Sequence, residues 1–407
     1  MKLNILRLLV AILACASAVV VIDRARAQQS PLKPEFAASL SSLGIPAPAQ
    51  TPAPAAASQE KTLGETHPKI QVLKALPESE LGLVMNFVAV SMGRRCDFCH
   101  VNKGNNNWDW ESDEKEEKLT ARKMMTMVLA INKDNFRGSP SVSCFTCHRG
   151  RTSPQGFPSF PLPTPAPRPQ PQAAAGQPAA TPSPTPAPPT ADQILAKYAE
   201  AVGGQASIDK MKTSVMKGTY TGFNGAPLSY EVTLSAPDKF HISVTTPQGV
   251  TERGFDGKVG WEKNSRGVNE LATGILDQMK EMFLFFRNIK LKEQFTQVRF
   301  NGREKINDRD ALIVAGRTAD NHRERLYFDA ETGLLVRRIS YTETPIGVIP
   351  TQVDFEDYRD VDGIKLPFTI KVSSVEPGFV STRKYTDIKP NTPVDDAIFK
   401  MPAKPGS

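Results

Sequence analysis

Two copies of one pentapeptide, Cys96-Asp97-Phe98-Cys99-His100 and Cys144-Phe145-Thr146-Cys147-His148, carry the side chains best suited to chemistry in this chain. In a Cys-x-x-Cys-His motif the two thiols add across the vinyl groups of a haem, and the next residue offers an imidazole to the iron beneath the ring. The same groups serve other chemistries: a zinc ribbon built from both Cys pairs, a thioredoxin-like dithiol, or two disulfides. A zinc ribbon leaves both trailing histidines without a role, and a bridge within Cys-x-x-Cys closes too small a loop to stabilise much. Of the five cysteines, Cys15 lies in a segment expected to be removed, so every mature cysteine belongs to a motif. The pattern predicts two covalently bound haem c groups on Cys96, Cys99, Cys144 and Cys147, with His100 and His148 on the irons.

The sixth ligand separates electron transfer from chemistry on small molecules. A methionine thioether is a soft neutral ligand that favours ferrous iron and closes the site. Met85 and Met92 are the candidates for the first motif, and Met124, Met125 and Met127 for the second. Met92 stands too close to Cys96 for the chain to fold across the ring, whereas Met85, about two helical turns further back, has room. Spacing alone does not choose among the other three, and methionines at helical spacing also fill cores. His67 is a further ligand candidate, although beside Pro68 it reads as a surface residue. Arg94, Arg95, Arg122, Lys123 and Arg149 suit haem propionates or a solvated basic face. Trp108 and Trp110 suit a porphyrin edge, with core packing as the default.

Two helices are expected to position these groups. Leu81, Val84, Met85, Val88 and Met92 recur at helical spacing over Glu78 to Met92, and Met124, Met127, Val128 and Ile131 do so over about Glu116 to Asn132. Each helix precedes one motif, so the segment repeats one plan of helix, turn and attachment site.

The N-terminus has Lys2 and Arg7, an apolar run from Leu8 to Ile22, and Ala25-Arg26-Ala27 before Gln28. That order predicts a signal peptide over residues 1–27 and export to the periplasm or the periplasmic face of a membrane. An apolar run of about 15 residues is short for a membrane anchor, which needs roughly 20. Lipid attachment at Cys15 has only Ile12-Leu13-Ala14-Cys15 in its favour, a poor lipobox. Composition then divides the 407 residues: a Pro/Ala-rich segment over 28–60, a haem domain over 61–160, a Pro-rich linker over 161–189 and a C-terminal domain over 190–407. The linker is expected to be a polyproline II spacer of up to about 90 Å. A formal charge of +7 suits an acidic partner or an anionic surface but is spread widely, and no nucleic-acid module is visible.

Residues from about Gln71 to Gly150 resemble the cytochrome c subunit of the photosynthetic reaction centre of purple bacteria. The stretches concerned are Gln71-Val72-Leu73, Leu83-Val84-Met85-Asn86, Ala121-Arg122-Lys123-Met124-Met125, Ala130-Ile131-Asn132 and both motifs with their flanks. The resemblance implies axial methionines at Met85 and Met124 and a role in electron transfer. That subunit carries four haems in two pairs, whereas this chain has one pair and then a different domain. A haem pair serves any periplasmic electron-transfer chain, through redox protein partners or a membrane complex.

The C-terminal domain opens with a helix over Ala191 to Val202 and Gly203-Gly204. Strands are then expected over Thr213 to Thr221, Leu228 to Leu234, Lys239 to Thr246, Arg323 to Phe328, Leu334 to Tyr341, Thr351 to Tyr358 and Ile364 to Val372. Turns at Asp329 to Gly333 and Asp360 to Gly363 suit an antiparallel meander, and an apolar helix is expected over Ile275 to Phe286. The pattern resembles the periplasmic lipoprotein-carrier (LolA-like) half-barrel family at Ala201 to Gly204, Tyr327-Phe328-Asp329, Tyr358 to Pro367 and Phe399 to Pro402. This implies an antiparallel half-barrel, with lipid or lipoprotein as an occupant, and Phe283, Phe285 and Phe286 suit either a cavity wall or the core. His241 and His322 have no catalytic neighbours in sequence and read as structural.

The fold class expected is therefore multidomain, a mainly α dihaem c-type cytochrome domain followed by an α+β antiparallel half-barrel. The function expected is electron transfer rather than catalysis. The alternatives are a lipid-binding module with redox-sensing haems, and a dihaem peroxidase, which needs an iron able to open its sixth position.

Overall fold

The computed structural model describes residues 60–403 apart from 106, 155–187, 223–224, 284–287, 320 and 376–379. The expected signal peptide, the Pro/Ala-rich segment up to residue 59 and all but the end of the expected Pro-rich linker lie outside the described residues.

In the N-terminal part a short helix α1 (Leu63–Thr66) leads to a 3-10 turn at Glu78–Glu80 and then to α2 (Leu81–Met92). The expected start at Glu78 is thus a tighter turn that feeds the helix. Gly93 ends α2 in the left-handed region at φ 62°, its N–H reaching back to the last turn. Only glycine fits there, because a Cβ would stand 2.1 Å from the carbonyl oxygen of Gly150. The helix α3 (Glu116–Phe136) begins with Glu116 and Glu117, whose charges suit a helix N-terminus, and runs one turn beyond the expected Asn132. Between them lie strands β1 (Val101–Asn102) and β2 (Trp108–Asp109), paired antiparallel. The last helix of this part, α4 (Cys144–His148), is the second motif itself, opened by a capping box between Ser143 and Thr146.

The second part starts with α5 (Ala191–Ala201), capped by Thr190 and Gln193, and α6 (Gln205–Lys210). Among the described residues thirteen strands follow: β3 (Thr213–Thr221), β4 (Pro227–Ser235), β5 (Lys239–Thr246), β6 (Gly249–Phe255), β7 (Gly260–Asn264), β8 (Gly267–Glu270), β9 (Phe295–Ile306), β10 (Arg309–Thr318), β11 (Arg323–Asp329), β12 (Leu335–Thr344), β13 (Gly347–Val361), β14 (Ile364–Ser373) and β15 (Val380–Pro390). They make one antiparallel sheet in the order β8-β7-β6-β5-β4-β3-β15-β14-β13-β12-β11-β10-β9, a meander in which only β3 and β15 meet out of sequence. The helix α7 (Thr273–Phe283) falls between β8 and β9; Phe285 and Phe286 lie outside the described residues.

Two apolar clusters seat the helices on this sheet. Leu276, Met279 and Phe283 of α7 pack on Val232, Phe240, Ile242 and Phe368. Ile194, Leu195 and Tyr198 of α5 pack on Val314, Leu326, Phe328 and Leu335. Phe283 therefore belongs to the core rather than to a cavity wall. A third cluster crosses between the two parts: Leu63, Leu76, Val84 and Phe87 enclose Ile346 and Ile349, from the hairpin joining β12 to β13. The two parts read as separate bodies from composition share this core.

Candidate haem-attachment sites

Each motif is one helical turn, and that turn sets the chemistry. Cys96–Phe98 form a 3-10 turn in which the N–H of Cys99 and of His100 reach the carbonyl of Cys96 at 3.2 and 2.9 Å. Residues three and four apart lie on one side of such a turn, so the two thiols and the imidazole face one ligand. The second motif does the same on α4. Among the described residues the four motif cysteines form no disulfide. Burial raises the thiol pKa of Cys99 and of Cys144. Among the described residues no three His, Cys, Asp or Glu side chains converge as a metal site.

Both histidines are held in the same way. Nδ1 of His100 lies 3.2 Å from the carbonyl oxygen of Trp110, and Nδ1 of His148 lies 3.0 Å from that of Arg151. A carbonyl only accepts, so Nδ1 carries the proton and Nε2 keeps its lone pair, the arrangement that orients an imidazole ligand. For His100 the carbonyl is delivered by the β1–β2 hairpin, which turns the chain back on itself; Lys118 Nζ fixes the same oxygen at 2.8 Å. Burial, then the Lys118 charge, lowers the pKa of His100 and favours its neutral form.

The indoles of Trp108 and Trp110 stack at 4.7 Å, and Trp110 sets an edge against His100 at 5.1 Å. Trp110 is 51% exposed, so core packing, the default for it from sequence, gives way to an exposed ring beside the ligand. Arg94 and Arg95 line an open groove of about 840 Å³ beside the first motif, together with Lys115 and the carboxylates of Asp97, Glu114, Glu116 and Glu117, so the groove as a whole does not favour anionic propionates. Arg122 is not left for propionates either, because it forks onto Asp113 at 2.7 and 2.8 Å. His67 sits at the end of α1, 3.8 Å from Glu78, as a surface residue.

The Arg122 hydrogen bonds hold the Asp113 carboxyl at about 2, below the ordinary carboxylate range. A depressed folded-state pKa contributes stability above the unfolded value and loses it as pH falls through the folded one. The tryptophan fluorescence of this region is expected to hold at pH 3 and change only towards pH 2; a midpoint near pH 4 contradicts the pairing.

Of the methionines, Met125 is 9% exposed and taken up by the core, whereas Met124 and Met127 are 39% and 43% exposed and accessible to a ligand. Met85 lies half-buried on α2, against the third cluster. The sequence reading missed Asn132. Its side chain is buried, with Nδ2 donating to the Val142 carbonyl at 2.8 Å and Oδ1 accepting from the Val142 N–H at 2.9 Å. This amide clamps the approach to Cys144 onto α3. Its signal in the sequence is a polar residue in the stripe of Met125 and Val128. Asn132→Ala leaves both Val142 groups unpaired and is expected to cost about 1–3 kcal/mol in a denaturant titration.

The donor set fits haem c: paired thiols on one helical turn, an imidazole with Nε2 left as donor, and methionines on the helix that precedes each motif. Comparison with known proteins agrees. Residues 36–184 match the family model described as photosynthetic reaction centre cytochrome C subunit. A photosynthetic reaction center cytochrome c subunit of Thermochromatium tepidum is 37% identical over 106 residues, 25% of this chain and 25% of that protein. The chain thus spans about a quarter of the length of that curated relative. Among solved structures, a LolA superfamily protein from Nitrosomonas europaea is 15% identical with a TM-score of 0.39, covering 52% of this chain and 98% of its own. A DUF1329 family protein from Desulfovibrio piger is 13% identical with a TM-score of 0.39, covering 51% and 97%. The N-terminal part is therefore similar to a stretch of the reaction-centre cytochrome c subunit, a likeness that implies covalently bound haem c, and the chain continues into one large antiparallel sheet.

Proposed function

We propose that the protein is an exported dihaem c-type cytochrome that passes electrons between redox proteins, or to a membrane complex, on the periplasmic side. Bound haem c supplies a one-electron ferric/ferrous couple. In this reading Cys96 and Cys99 hold one haem and Cys144 and Cys147 the other. His100 and His148 ligate from one side, and Met85 and Met124 from the other. The observation that carries the reading is the repeated tautomer lock, with Nδ1 of each motif histidine turned to a backbone carbonyl and Nε2 left as the donor. The two carbonyls belong to unrelated local structures, a hairpin and a turn, so one chemical requirement is met twice by different means. The domain boundaries at 61–160 and 190–407 belong to the same proposal.

A closed sixth position separates the carrier from a dihaem peroxidase. The reduced protein is expected to keep its visible spectrum under carbon monoxide and the oxidised protein under peroxide. A carbon monoxide adduct at either haem favours the enzyme. Met124→Ala is expected to open one site to carbon monoxide. Met125→Ala is expected to leave the spectrum unchanged and cost about 2–5 kcal/mol of stability, as truncation of a buried methionine does. The opposite pattern moves the ligand to Met125.

A further inference from the structure

The tip of the hairpin between β12 and β13 contradicts ordinary turn chemistry. Its two-residue turn is Pro345-Ile346, with Gly347 and Ile349 following. Turn positions usually carry small polar residues that water can reach. Here Ile346 and Ile349 are both 0% exposed, enclosed by Leu63, Leu76, Val84 and Phe87 of the cytochrome segment. Leu129 of α3, Met85 of α2 and Cys144 of the second motif pack against the same cluster. Thr344 steadies the tip from within, its hydroxyl donating to the Gly347 carbonyl at 2.8 Å.

Gly347 makes the closest approach. Its φ is 153°, and a Cβ there would lie 2.8 Å from the Phe87 ring and 2.8 Å from the Cβ of Ser143. Ser143 is the N-cap of the turn that bears Cys144, Cys147 and His148. The hairpin backbone at Gly347 therefore rests against both the residue that caps the second motif and the Phe87 ring of α2. Asn132 holds that approach from α3, and the hairpin holds it from the sheet.

We infer that the β12–β13 hairpin is a positioning element of the second haem-attachment site, so that the large sheet is a permanent wall of the cytochrome rather than a separate tethered module. Gly347, Ile346 and Ile349 act through Ser143 and the cluster beneath Cys144 and touch no reacting atom. For the haem itself the inference rests on the dihaem reading; for the docking of the two parts it does not.

Two measurements on the matured full-length chain test it. A protease site placed within residues 161–189 allows the chain to be cut between its two parts. The cut wild-type protein is expected to migrate as one particle in gel filtration, and cut Ile346→Asp as two. Cut wild-type protein that separates overturns the docking. In a redox titration, Gly347→Val is expected to move one of two midpoints to lower potential, because water gains access beside Cys144, while the other midpoint stays and the haem count remains two. Both midpoints unchanged overturns the positioning role. Ile349→Ala reads the same effect if Gly347→Val does not accumulate. A wild-type protein with fewer than two haems defeats the dihaem reading, and the migration result then judges the docking alone.

Discussion

Replacing Cys144 and Cys147 by serine is expected to halve the haem carried by each chain, leaving the first site loaded and its spectrum intact. Each pair of thiols sits on its own helical turn, and nothing in the first motif depends on the thiols of the second. The hydroxyls of serine do not add to a vinyl group, so covalent attachment at the second site ends. The paired variant Cys96→Ser/Cys99→Ser is expected to give the mirror result. His148→Ala separates the roles within one motif: both thioether bonds form, haem stays bound on a denaturing gel, and the ligand field of one iron changes. Equal loss of both haems in either paired variant contradicts independent sites. No change in haem content contradicts the motif assignment itself.

The largest stability effect is expected inside the sheet. Glu324 on β11 and Arg338 on β12 face each other at 2.5 Å, with side chains 1% and 5% exposed. Arg338 also donates to Asn288 Oδ1 at 3.2 Å and to Gln294 Oε1 at 3.1 Å, tying the stretch after α7 to the sheet. A charge so buried is tolerable only while its partner stays. Arg338→Met leaves the Glu324 carboxylate without its guanidinium, and removing one member of such a pair costs about 3–5 kcal/mol. For a domain of this size that is a fall of roughly 6–20 °C in Tm. The double variant Arg338→Met/Glu324→Leu is expected to recover most of the loss, since an apolar pair of similar volume removes the desolvation cost together with the attraction. A double variant as unstable as the single one places the weight on the Asn288 and Gln294 bonds instead. Calorimetry of the four proteins in the cycle decides.

The contrast between these two sites explains what was legible in the sequence. Haem attachment is a local property: thiols and imidazole at i, i+3 and i+4 on a single turn, after helices with a regular apolar period. Both helices and both motifs therefore stand where their spacing puts them. What holds each imidazole was not legible, because Trp110 and Arg151 act through backbone carbonyls that carry no side-chain signature. Strands β3 and β5 matched their expected limits; the alternation is plain in β5, where Phe240 and Ile242 are buried, whereas β3 is less regular and buries only Ser214. Strand β10 was missed because Leu312 and Val314 enter one core while Ala311 and Ile313 enter another, so its apolar run has no period. Strand β15 was missed for the reverse reason, its buried positions including Ser381 and Arg383. The hairpin tip at Ile346 is a contact between distant segments, and composition pointed the other way, to two bodies joined by a spacer.

The central claim is a pair of covalently bound haems, and a pyridine haemochrome assay with protein quantitation on periplasmically matured chain tests it most directly. Two c-type haems per chain is the result the account predicts. A chain that matures without haem contradicts it, and leaves the antiparallel sheet as the functional part of the molecule.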